Sequence, residues 1–89
     1  YLAIAYFLVD RHRDALTLAD ASLTRAPHHV ALNAMRAAAL SRLGNGDEAR
    51  RAAGQVLRLS PVFEIENFGT RLTPQHTAKL QDALREAGL

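Results

Sequence analysis

Apolar positions along this chain recur at helical spacing. Leu32, Met35, Ala39, Leu40 and Leu43 fall on one stripe, and Ala49, Ala52, Ala53, Val56 and Leu57 fall on a stripe that can face it. Between them stands GNGD, Gly44 to Asp47, with Gly44 suited to a left-handed C-terminal cap and Asn45 to an N-cap three residues before Glu48. The stretch predicts two antiparallel helices joined by a tight turn. Further on, VFEIENF predicts a short helix over residues 63–68, which Gly69 and Pro74 keep from lengthening. A last helix is predicted with Thr73 as N-cap, Pro74 at its first position and Gly88 past its end. Its single apolar stripe is Leu80, Ala83, Leu84 and Ala87.

The hairpin pattern occurs twice. LTRAP, ending at Pro27, and LRLSP, ending at Pro61, close their helices 34 residues apart. At that offset Ala3 pairs with Ala37, Ala5 with Ala39, Tyr6 with Leu40, Val9 with Leu43, Asp14 with Glu48, Ala15 with Ala49, Ala19 with Ala53 and Leu23 with Leu57. A fixed period of roughly 20 to 50 residues marks a repeat architecture. Alanine at Ala15 and Ala49 lets paired helices approach closely, because a larger side chain would force their axes apart.

On these residues the chain resembles a tetratricopeptide repeat protein. Tyr6, Ala15, Ser22 and Pro27 match the family's late aromatic, two small positions and terminal proline in the first unit; Leu40, Ala49, Val56 and Pro61 occupy them in the second. The family's bulky position in the second helix is Ala19 and Ala53 here, and its glycine is Ala3 and Ala37, which implies tight, thin packing. The resemblance implies an all-α, TPR-like superhelix of antiparallel helical hairpins. Residues 1–61 would form two units, the first truncated at its N-terminus, and residues 62–89 a short helix plus a C-terminal capping helix over the last repeat.

Composition agrees with a helical core. At 89 residues there is room for one small domain. Hydrophobic residues make up 48% but aromatics only 6%, so leucine and the 17 alanines must build the interior. The absence of cysteine excludes a disulfide framework and thiolate metal sites, and fits a reducing, cytoplasmic setting. A net charge of +2 with scattered arginines gives no reason to expect a nucleic-acid partner. The opening YLAIAYFLV is nine apolar residues, short of the about 20 a membrane span needs. Asp10, Arg11, His12 and Arg13 follow it where a signal peptide would carry small residues. It reads as the interior of a helix that began earlier, in a fragment of a longer protein.

Catalytic chemistry finds little footing. His28 and His29 are adjacent, His12 and His76 lie in different elements, and no pair has metal-binding helix spacing. Ser22, Ser41 and Ser60 lack a histidine at a suggestive distance, and the carboxylates Asp10, Asp14, Asp20, Asp47 and Glu48 mostly flank helix starts, where they suit the helix dipole. GNG lacks the lysine and preceding strand of a phosphate loop. Arg50, Arg51 and Arg58 read as a solvated outer face. The expectation is a non-enzymatic module with no cofactor and no metal.

A surface remains. The resemblance implies a concave face of first helices that takes a protein or peptide partner, here Ile4, Phe7, Leu8, Ala31, Ala34, Ala38, Ser41 and Arg42. Arg42 would pair with a ligand carboxylate. The rival reading sets Ile4, Phe7 and Leu8 against a neighbouring repeat, or makes the Tyr1 to Val9 helix a homo-oligomer contact. Met35 stands where the chaperone-binding subgroup has an asparagine, which disfavours chaperone tails. The ending LQDALREAGL resembles the tails closing TPR regions of bacterial class III adenylate cyclases and winged-helix regulators. Ten arginines against one lysine suit a GC-rich bacterial genome.

Overall fold

A computed structural model describes residues 2–68 and 72–89. Tyr1 and Gly69, both used in the sequence reading, lie outside the described residues. Five helices follow one another: α1 (Leu2–Leu8), α2 (His12–Arg25), α3 (Val30–Arg42), α4 (Gly46–Leu59) and α5 (Pro74–Glu86), with a 3-10 turn at Ile65–Asn67 before the last. There is no strand among the described residues.

The 34-residue period is written in the backbone. Asp10 and Gly44, 34 apart, both take left-handed conformations, with φ of 65° and 83°. Each ends its helix with the same pair of bonds: Asp10 N–H to Phe7 C=O and Arg11 N–H to Tyr6 C=O, then Gly44 N–H to Ser41 C=O and Asn45 N–H to Leu40 C=O. That is the Schellman arrangement, which satisfies carbonyls the helix leaves unpaired. Arg11 and Asn45 share φ/ψ near −92°/65° and −93°/65°, and Ala26 and Ser60, before the two prolines, share −137°/70° and −143°/86°. Ala15 and Ala49 are both fully buried. α1–α2 and α3–α4 are therefore equivalent hairpins.

Two local expectations change. Asn45 makes no side-chain cap to α4, its φ/ψ of −93°/65° lying outside the extended region an N-cap uses, and Glu48 turns instead to Arg36 at 3.8 Å. His29, given no role by its spacing, caps α3 by accepting the Leu32 N–H at 3.2 Å on Nδ1. Buried Asn33 then donates to the carbonyls of Pro27 and His29, so its amide nitrogen is not left orphaned.

Helix α3 is the centre. Its buried residues, Leu32 to Met35 and Ala37 to Leu40, run all the way round it, as a helix packed on every side requires. α2 and α4 flank it, and Arg36 ties both to it through Asp20 at 2.8 Å and Glu48 at 3.8 Å.

Helix α5 begins as its sequence predicts, with Thr73 accepting the His76 N–H at 3.3 Å and Pro74 in the first turn, and it ends at Gly88 with φ of 106°. It lies chiefly across α3, touches α1, and reaches the α4 alanines only at its end, through Ala87. The reason is the surface on offer: α4 turns Asp47, Glu48, Arg50, Arg51 and Arg58 outward, whereas α1 and α3 present Phe7, Ala34 and Ala38. Gln81 donates to the Phe68 carbonyl at 3.1 Å and anchors α5 to the preceding turn.

Enlarging either equivalent alanine should cost alike. Ala15→Leu and Ala49→Leu are each expected to destabilise by about 1–3 kcal/mol, the usual penalty of overpacking. Urea unfolding checks this, and a neutral result at one site alone would break the equivalence of the hairpins.

Candidate functional site: the face of α1 and α3

Of the eight face residues, Phe7, Ala34, Ala38, Ser41 and Arg42 come together against α5. Phe7, Ala34 and Ala38 are fully buried in one cluster with Leu80, Ala83 and Leu84 of α5. Ile4 and Leu8 are half-buried against the same cluster, and Ala31 is half-buried on α3. Ser41 donates to Glu86 Oε1 at 3.3 Å, and Arg42 meets the other oxygen of that carboxylate at 3.5 Å. The carboxylate facing Arg42 is thus the chain's own. The arginine also donates to the Lys79 carbonyl at 3.5 Å.

Lys79 makes the polar contact with the end of α1. Its ammonium donates to the Leu8 carbonyl at 3.1 Å and pairs with the Asp10 carboxylate. The α1 accounting is thereby complete: Val9, Arg11 and Asp10 N–H groups satisfy the carbonyls of Ala5, Tyr6 and Phe7, and Lys79 satisfies Leu8. A cation there also suits the negative end of the helix dipole. Asp10 occupies the left-handed position that glycine fills in the second hairpin, a conformation that aspartate adopts more readily than most residues but still with strain.

The electrostatics follow from these contacts. The Lys79 hydrogen bond, with its charge, holds the Asp10 carboxyl below the ordinary carboxylate range. His12, packed against Phe7 with ring centroids 4.9 Å apart, is pushed below the usual histidine value by burial. Asp10, with Oδ1 3.6 Å from His12 Nε2, works the other way, while Lys79 and Arg42 add to the depression. His12 Nδ1 is buried without a hydrogen-bond partner, which favours a neutral ring.

Sequence reasoning placed Asp10 as a helix flank and did not single out Lys79 or Glu86. The usable signal was Asp10 itself, a non-glycine residue aligned with Gly44. Nothing in local spacing joins Asp10 to a lysine 69 positions away.

Other concavities and clusters offer less. A groove of ≈ 460 Å³ lies between the end of α4 and the end of α5, with Leu57, Phe63, Ile65 and Leu89 as apolar lining and Glu64 and Arg85 among its charges. Among the described residues no group of three or more His, Asp or Glu is placed to hold a metal ion, and no helix is long and apolar enough to cross a membrane. Arg50, Arg51 and Arg58 are exposed on α4, with Arg50 near Asp47 at 3.7 Å. Searched against protein-family models, curated proteins and solved structures, the chain finds no match.

The depressed His12 sets a pH dependence. In the unfolded chain histidine takes a proton as pH falls through about 6.5, while the folded ring stays neutral, so stability is full above 6.5 and falls with acid until the folded value is passed. His12→Phe keeps the ring against Phe7 and removes that proton. Urea midpoints between pH 8 and pH 5 should fall more steeply for the native chain than for His12→Phe; parallel curves would show that His12 does not titrate differently on folding.

Proposed function

We propose that the chain is a non-enzymatic protein interaction module of tetratricopeptide type, whose α1/α3 face receives a protein or peptide partner. The observation that carries this reading is the pair of equivalent hairpins, which set two first helices side by side in a face that accepts apolar side chains and a carboxylate. Arg42 and Ser41 supply the anchor for that carboxylate, the role Glu86 fills within the chain. Ala3 and Phe7 are buried inside the chain, which favours a foreign partner over self-association through the opening helix. The hairpins are read as two units of a superhelix, within the C-terminal part of a larger bacterial signalling or regulatory protein.

Peptides selected from a displayed library on the intact chain test the reading. Arg42→Glu should weaken them at least tenfold, whereas Arg51→Glu on the exposed side of α4 should leave them unchanged. Equal binding to both variants would remove the face from consideration. Phe7→Asp is unsuitable as a probe, since a carboxylate at a fully buried position unfolds the site before binding is measured.

A further inference from the structure

We infer that α5 is a built-in stand-in for the partner, so that the partner is an amphipathic helix of the same charge pattern and must displace α5 to bind. The inference rests on the interaction-module reading and adds the class of ligand and the way access to it is controlled.

The seat selects a helix. Lys79 and Glu86 are seven residues apart and their side chains reach two polar anchors, Asp10 with the Leu8 carbonyl for the lysine and Arg42 with Ser41 for the glutamate, while Arg42 also donates to the Lys79 carbonyl. In a helix seven residues rise roughly 10 Å and return to the same face. In an extended peptide they would span about 23 Å. Leu80, Ala83 and Leu84, fully buried between the two charges, have the spacing of one helical stripe. The fitting ligand therefore reads lysine, leucine at the next position, alanine four on, leucine five on and glutamate seven on.

The seat is also built to release. Its charges stay in contact with water: the Lys79 side chain is 29% exposed, Glu86 52% and Asp10 71%, so solvent replaces these pairs at little cost. The apolar hold consists of two leucines and small alanines along a single stripe. Covalent attachment adds to the hold of Leu80, Ala83 and Leu84, because it makes the docking of α5 intramolecular. An outside helix must exceed that advantage, so the intact chain is closed to weak ligands and open to a matched one.

The experiment uses the full chain, a full-chain variant carrying Lys79→Glu and Glu86→Arg, and a fluorescent peptide of residues 72–89 with the native sequence. Reversing both charges sets α5 against Asp10 and Arg42 while leaving the face intact. The variant should bind the native peptide at least tenfold more tightly than the unaltered chain, and Arg42→Glu added to the variant should abolish the gain. Hydrogen exchange is followed in parallel, and α3 amides should remain protected in the variant. An unchanged affinity, or a gain that survives Arg42→Glu, overturns the inference. Loss of α3 protection overturns it as well, because α5 would then be part of the core rather than its guest. Library peptides that depend on Arg42 while the 72–89 peptide shows no gain would leave the module standing and remove only the stand-in.

Discussion

Helix α3 can be surrounded because Ala34, Ala37, Ala38 and Ala39 give it little bulk on any side. Small residues bring helix axes close, and the close approach is what lets α2, α4 and α5 all reach the same thirteen-residue element. The two hairpins and the seat of α5 depend on this one constraint. Replacing dispersion contacts of large side chains by backbone proximity leaves few residues to absorb change, which is why volume errors in this core are felt directly.

The polar contacts are arranged around that centre in two clasps. Arg36 joins α2, α3 and α4 through Asp20 and Glu48, and so secures the hairpins to each other. Lys79 and Arg42 join α5 to the ends of α1 and α3. The first clasp serves the scaffold. The second sits where a binding surface is expected, beside the one non-glycine residue in a left-handed conformation among those described. A left-handed aspartate, a carboxyl held low by Lys79 of α5 and a half-buried histidine pushed below its usual value thus coincide at the α1–α2 turn.

Much of the fold was legible because its signals are local. The periodic stripes gave α3 and α4, the prolines gave the repeat length, and Thr73, Pro74 and Gly88 bounded α5. Asn45 misled because its backbone sits at ψ of 65°, outside the extended region that aims a capping side chain at the helix. Phe7, Ala34 and Ala38 share one cluster because equal positions in equivalent helices align. Their cover was not foreseen. Where α5 docks depends on comparing the polar outside of α4 with the apolar side of α1 and α3, a tertiary choice that no spacing within α5 records.

Lys79 is the chain's one lysine. Amine-directed chemistry aimed at side chains therefore has a single address, and it is the group that caps α1 and pairs with Asp10. Acylation would cancel the charge and replace a compact ammonium by a neutral amide, loosening the C-terminal helix in the same stroke. Immobilising or labelling this protein through its side-chain amine would accordingly alter the state that such a procedure sets out to observe.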